Sequence, residues 1–514
     1  MLFSTKNPTD HLPAAPIITS IMKCFTYTYT IPALALAIIL LPSQTYSWIC
    51  PPTTSSGKAF SSTTLEISHA PYISDGESWA DGRSEEHLPS IDAVADADTA
   101  TDDSTYLIHK GRAVNMIKRC VALEGLSLSN GWSNQATEAF TLAVEAVVRA
   151  NPILTGQLVE EKKTSWPWNN KSTLRVIPGV FPPESHSFVT IVEPPSDLTS
   201  PEQAAGISAT KLFHHVHNEV APCLLDKPEF SYDQIKNASP LFDAKIMDFG
   251  DGYAAYSIKL SHAIGDGTTF FQIVSQISSY MNGRDPQPIN WNNPLKSTHE
   301  IYPENFSKKD YERSYCGPFG WGVFKNIRTL GKRKCEYLLL NKDKISKKKK
   351  ELQKSAENKR ISSNDIIMSA ICEMCGSSDV FAFDRSVRCI KEGVDKHDAG
   401  NFFWEIPFDR EAGTKPSVIR NILTSDSGTF YDTDEVPLMP FLNGRVGRIT
   451  SLASITHQTT FPGSQVICQF PSASFIRDLP LDVAVIFRFD EENFGIMHNF
   501  RRVMDSPLLG EIIS

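Results

Sequence analysis

Apolar positions recur at helical spacing in three stretches. In "NQATEAFTLAVEAVVRANPIL" Phe140, Val144, Val147 and Val148 share one face, and Pro152 ends the run. In "TTFFQIVSQISSYM" Phe270, Ile273, Val274, Ile277 and Met281 do the same. In "ISSNDIIMSAICEM" a serine opens the helix with an aspartate three residues on, a capping-box variant. Ile367, Ala370, Ile371 and Met374 then follow at helical spacing. Elsewhere the period is two. "YAAYSIKLSH" alternates, with Tyr256, Ile258, Leu260 and His262 on one strand face. "DVAVIFRFDEENFGIMHNF" reads as two strands joined by the turn "DEEN". Helices and strands thus mix from about Thr105 onward, and no repeat of fixed period is present. The pattern predicts an α/β fold with two halves of similar size.

The N-terminus does not follow either period. "IPALALAIILL" (Ile31–Leu41) is apolar but too short to span a bilayer. Met22-Lys23 gives a basic start, and Thr45 and Ser47 are small where signal peptidase prefers small residues. Residues 1–47 are therefore read as a signal peptide cut after Ser47, or as an uncleaved signal anchor. Residues 48–104 are Ser/Thr-rich and then acidic from Asp75 to Asp103, with only Arg83 opposing, which is the composition of a disordered tether. Trp48 after the cut, followed by a hydroxyl-rich stretch, resembles the two-part presequences of algae with secondary plastids. Secretory-pathway entry is expected, with the endoplasmic reticulum or such a plastid as destination. Asn170, Asn237 and Asn305 each begin a glycosylation sequon.

Composition narrows the classes. A chain of 514 residues is too long for one ordinary core. Hydrophobic residues at 41% and charged residues at 21% fit a globular protein. A net charge of −9 argues against nucleic acid as a partner. The division expected is residues 105–285, a crossover and basic linker over 286–360, and residues 361–514. Ten cysteines are too sparse for a disulfide scaffold. Cys372 and Cys375 have CxxC spacing but lie in an apolar helical run, so they read as core. His214 and His217 are one helical turn apart without an acidic or cysteine partner at metal spacing, so no metal site is expected. "KDKISKKKKELQKSAENKR" (Lys342–Arg360) reads as a solvated helix and linker. The alternative is attraction of a ligand's phosphates or of an anionic membrane surface, which would make membrane association peripheral.

"LSHAIGDGTTFF" (Leu260–Phe271) carries the chemistry. His262 ends a strand, Gly265 and Gly267 allow a tight turn, and Asp266 lies inside it before an amphipathic helix. A neutral imidazole accepts the proton of an alcohol as its oxygen attacks an acyl carbon, so His262 is the candidate general base. Asp266 is its structural partner: a carboxylate there pairs with an arginine and holds the loop. Gly267 lets the backbone pass close behind.

This stretch resembles the HxxxDG motif of the coenzyme A-dependent acyltransferase superfamily, which includes chloramphenicol acetyltransferase, BAHD acyltransferases, condensation domains and wax ester synthase/diacylglycerol acyltransferases. "ANPILTGQL", "SPLFDAKI", "SSNDIIMSA" and "DAGNFFWEIPFD" are similar to further segments of the superfamily, in the same order. The resemblance implies two chloramphenicol acetyltransferase-like subdomains of mixed sheets and helices with a channel between them. It implies an acyl-coenzyme A co-substrate, a hydroxyl acceptor of lipid-like or other bulky apolar kind, no permanently bound cofactor, and a monomer. Asp266 would pair with Arg385 or Arg388 of "FAFDRSVRC". Asn364 and Asp365 would line the channel, and Gly400 and Asn401 would shape its acyl or pantetheine side. Ser261 stands where condensation domains and many wax ester synthases carry a first histidine, and "PFGWG" (Pro318–Gly322) comes too early to be the BAHD DFGWG segment. A condensation-type enzyme using carrier-bound acyl groups, or a non-catalytic member of the fold, are the alternatives.

Overall fold

The computed structural model describes residues 106–108, 122–165, 169–196, 198, 208–226, 231–292, 335–355, 360–424, 446–456, 463–472, 476 and 481–513. The expected signal segment, the acidic tether, Pro318–Gly322 and Asn305 lie outside them. The elements run β1 Tyr106–Ile108, β2 Ala122–Asn130, α1 Asn134–Ala150, β3 Gln157–Ser165, β4 Asn169–Ile177 and β5 Val189–Ile191. There follow α2 Ala209–His215, α3 Ala221–Leu224, α4 Ser231–Asn237, β6 Phe242–Asp248, β7 Tyr253–Ser261 and α5 Gly267–Met281. The chain continues with β8 Glu336–Asn341, α6 Lys342–Leu352, α7 Ser363–Met374, β9 Val380–Ser386 and β10 Phe403–Asp409. The last elements are α8 Arg410–Gly413, α9 Pro416–Thr424, β11 Val446–Ser451, β12 Gln465–Pro471, β13 Asp482–Arg488, β14 Asn493–His498 and α10 Pro507–Ile512.

Three sheets result. One has five strands in the order β12-β2-β7-β6-β5, one has six in the order β10-β9-β11-β13-β14-β8, and β1-β4-β3 form a small third. The two large sheets are mixed: β5 runs parallel to β6, and β11 parallel to both β9 and β13, while the remaining pairs are antiparallel. Each large sheet has its own core. On the five-stranded sheet, Phe140, Val144 and Val147 of α1 and Phe270, Ile273 and Ile277 of α5 pack with Tyr256, Ile258 and Leu260. On the six-stranded sheet, Ile367, Ala370, Ile371 and Met374 of α7 pack with Phe381, Phe383, Phe408 and Ile486. Burial at these positions contributes roughly 1.5–3 kcal/mol per large side chain, which is why the helical periods are so regular. Ser133 caps α1 by accepting from the Ala136 amide. Ser362 and Asp365 form a reciprocal capping box on α7. Cys372 and Cys375 sit in the second core, and burial pushes the Cys375 thiol up to about 11.

Three elements depart from the sequence reading. β7 is a central strand, buried on both faces from Ala254 to Ser261, and it ends at Ser261; His262 falls in the turn rather than on the strand. Residues 286–360 are not only a crossover, because the apolar run of β8 pairs with β14, so it belongs to the six-stranded sheet. Residues 361–514 do not stay in one half: β12 returns to the five-stranded sheet, with Phe470 opposite Leu126. His217 stacks against Phe213 at 6.1 Å, and His215 pairs with Glu219 at 3.1 Å. Among the described residues, no group of three or more His, Cys, Asp and Glu is arranged to hold a metal ion.

The face of the five-stranded sheet away from α1 and α5 carries charge. Glu124 stands opposite Lys259, which stands opposite Asp243. Lys259 Nζ lies 3.1 Å from Asp226 Oδ2 and 3.6 Å from Asp243 Oδ2. Burial pushes the Glu124 carboxyl up to about 7, although Lys259 pulls the other way. Between the ordinary carboxylate range and that value, the folded chain keeps a proton that the unfolded chain releases, so this group's contribution to stability falls as pH rises. Glu124→Gln keeps the neutral form at every pH. It is expected to stabilise the protein increasingly from about pH 5 to about pH 8, by up to ~3 kcal/mol. Unfolding midpoints of both proteins across that range check it; parallel curves would remove Glu124 as the titrating group.

Candidate active site

The end of β7 and the start of α5 are joined by His262–Asp266, a turn so short that its side chains are fixed by whatever surrounds it. The Ile264 amide donates to the Ser261 carbonyl at 3.1 Å. Ser261 is fully buried and donates its hydroxyl to Gln234 Oε1 at 2.7 Å. A Cβ on Gly267 would stand 2.7 Å from Leu452 Cδ2, so the first turn of α5 passes close against the segment after β11.

Asp266 is the N-cap of α5 and is buried. Its Oδ1 accepts from the Thr269 amide at 3.0 Å, from the Thr269 hydroxyl at 3.2 Å and from Arg388 Nη2 at 3.0 Å. Its Oδ2 accepts from Arg388 Nη1 at 2.8 Å and from the Phe402 amide at 3.1 Å. Burial pushes this carboxyl up, but the Arg388 charge and hydrogen bonds, with the Thr269 amide, outweigh it and hold it below its ordinary range. Arg388 is spent entirely on this junction. Its Nε donates to the Asp398 carbonyl at 2.8 Å, Nη2 reaches Thr269 Oγ1 and the Gly400 carbonyl at 3.1 Å each, and the guanidinium lies 5.3 Å from the Phe402 ring centre. Of the two arginines open from the sequence, Arg388 makes the pair; Arg385 lies 5.5 Å over the Trp404 ring.

Gly400 and Asn401 hold the same loop from the second half of the chain. Gly400 has φ +135°, a conformation open to glycine, and its carbonyl accepts from the Asp266 amide at 3.1 Å. Asn401 Nδ2 donates to the His262 carbonyl at 3.0 Å. His262 itself is half-buried, its Nδ1 buried, and its ring centre is 6.5 Å from that of Phe403. The imidazole is therefore mounted on a loop clamped from both sides, with part of its surface open.

Asn364 and Asp365 were expected on the channel wall, and the geometry corrects this for Asp365. That residue is fully buried, and its Oδ2 accepts from the Ser362 amide at 2.6 Å and from Arg420 Nε at 2.8 Å. A carboxylate closed in a cap and an ion pair lines no open surface. Asn364 accepts from Ser451 Oγ at 2.7 Å and is partly exposed. Thr269 was not singled out in the sequence. It follows the motif as an ordinary helix residue, and only the fold brings Gly400, 131 positions away, to its hydroxyl.

No protein-family model matches the sequence, and no curated protein matches it. Solved structures do. TRI101 of F. sporotrichioides, complexed with coenzyme A and T-2, is similar with a TM-score of 0.54 and 12% identity, over 75% of this chain and 92% of that one. TRI101 of F. graminearum, complexed with coenzyme A and T-2 mycotoxin, is similar with a TM-score of 0.50 and 12% identity, over 75% and 92% respectively. What is shared at that identity is the architecture alone: this chain has a chloramphenicol acetyltransferase-like fold of mixed sheets and helices.

Proposed function

We propose that the chain is an acyl-coenzyme A-dependent O-acyltransferase that esterifies a bulky apolar alcohol, with His262 as general base. The observation that carries this reading is the half-buried His262 on a loop locked by the buried Asp266–Arg388 pair and by Asn401. A loop held so firmly fixes the backbone that carries the imidazole, which is what a positioned base needs. The base takes the proton of the acceptor hydroxyl while its oxygen attacks the thioester carbon. The tetrahedral intermediate collapses, the C–S bond breaks, and the leaving thiolate takes the proton from the imidazolium. Asp266 touches neither substrate; its carboxylate is filled by five donors and acts by holding the loop. Support for the coenzyme A thioester comes from the TRI101 structures, which are complexed with coenzyme A. The bulky apolar acceptor follows from the sequence resemblance; Phe402, Phe403 and Trp404 beside the loop are buried in the second core.

The test is chemical. The protein is offered acyl-coenzyme A with a panel of long-chain, sterol and glyceride alcohols, and both free thiol and ester are quantified. Thiol and ester released in equal amounts are expected for at least one alcohol. Thiol without ester, or ester formation equal to that without protein across the panel, would exclude the reading.

A further inference from the structure

α6 is an anomaly in an acidic protein. Residues 342–354 hold seven lysines against Asp343 and Glu351, in a chain whose net charge is −9. The helix is fixed to the body by Ile345, which is fully buried, and its N-cap Asn341 accepts from the Lys344 amide. Lys348 pairs with Glu511, and Lys344 donates to the Ile513 carbonyl. Lys347 and Lys350 of α6 and Lys354 in the turn just past its end are exposed on one side, with Lys344 also exposed beside them. Among the described residues, Lys347, Lys349, Lys350 and Lys354 form no ion pair. Like charges three and four residues apart weaken a helix, and within residues 342–354 only Asp343 and Glu351, four residues either side of Lys347, are set against the seven lysines.

We propose that the exposed lysine face of α6 docks the protein onto an anionic lipid bilayer. The exposed charge is net positive, Lys344, Lys347, Lys350 and Lys354 against Asp343 and Glu351, and it extends for roughly 16 Å along the helix, so it fits a surface rather than a single phosphate. The face of α6 is built from lysine, whose mobile point charge suits a fluid plane of headgroups. It contains neither the arginine forks nor the aromatic rings that base and phosphate recognition in nucleic acids favour. Ile513, whose backbone holds Lys344, is an exposed apolar side chain at the N-terminal end of the same helix. No described helix is long and apolar enough to cross a membrane, so docking here is peripheral. The inference does not depend on the acyltransferase reading: it concerns a surface, and its first readout is binding.

The full chain is floated with vesicles of phosphatidylcholine alone and with vesicles containing about 30 mol% phosphatidylserine. Each lysine near an anionic surface adds roughly fivefold to binding, so the triple variant Lys347→Gln, Lys350→Gln, Lys354→Gln is expected to lose about 100-fold for the anionic vesicles. Raising salt from about 0.1 M to about 0.5 M is expected to release the wild type from them. Any binding through the apolar N-terminal segment adds equally to both vesicle types and cancels in the comparison. The variant positions are exposed, and its unfolding midpoint is to match that of the wild type. The KM for acyl-coenzyme A with a soluble alcohol is expected to stay unchanged. Equal binding of wild type and triple variant to anionic vesicles overturns the proposal. So does unaltered vesicle binding with a raised KM, which would assign the face to the coenzyme A phosphates.

Discussion

Asp266→Asn is expected to lower the unfolding free energy by about 3–5 kcal/mol, the cost of breaking a buried ion pair from one side. The substitution is nearly isosteric, and asparagine serves well as an N-cap when its amide oxygen takes the place of Oδ1, which keeps the bond from the Thr269 amide. Two losses remain. Arg388 keeps its buried guanidinium with no counter-charge, and whichever way the new amide turns, its NH2 group replaces an oxygen that accepts from Arg388 and either Phe402 or Thr269. Arg388→Met tests the pair from the other side. There the main downward pull on the Asp266 carboxyl is gone and burial is opposed chiefly by the Thr269 amide, so this variant is expected to keep less of the stability that the wild type gains as pH rises through the carboxylate range. In the wild type the depressed carboxyl contributes stability above its ordinary range, and that contribution is lost as pH falls below it. Urea unfolding of the three proteins at acidic and neutral pH measures both effects. An Asp266→Asn protein as stable as the wild type would mean the pair does not hold the junction.

His262→Ala is expected to lower kcat by about 10²–10⁴ while leaving KM within a few-fold, because a base is used at the chemical step and not in the ground-state complex. The fold gives little reason for a stability loss. The ring is half-buried and touches Phe403 at an edge of the core, whereas the loop is held by main-chain bonds at the Asp266 amide, the His262 carbonyl and the Phe402 amide. Those bonds do not involve the imidazole. Steady-state kinetics on the ester-forming pair, with the unfolding midpoint as control, checks the separation of rate from stability. A variant that loses activity only by raising KM would make His262 a binding residue.

The parts legible in the sequence are those set by local periodicity. α1, α5 and α7 bury the residues their 3.6-residue spacing selects, and β13 and β14 pair as the expected hairpin with nearly continuous buried runs, because each has an apolar face or run to hide. His262, Asp266 and Gly267 are near neighbours, so their order alone suggests a strained loop before a helix. What the sequence leaves open depends on contacts far along the chain. Arg385 and Arg388 are equivalent by position. The choice between them follows from β9 ending at Ser386, which leaves Arg385 facing Trp404 within the strand and frees Arg388 to turn towards Asp266. Asp365 reads equally as a cap or as a site residue until Arg420, 55 positions on, closes over it. Nothing in the local sequence says which sheet β12 joins, and its return to β2 is a long-range choice made by packing of Phe470 against the first sheet.

The central claim is that one imidazole removes the acceptor's proton, and restoring a base to the site tests it most directly. His262→Ala is assayed for ester formation with increasing imidazole in the buffer, beside the wild type. The account predicts a slow variant whose rate climbs in proportion to neutral imidazole, with no such response in the wild type. Ester formation by His262→Ala at the wild-type rate, with no base added, would contradict it.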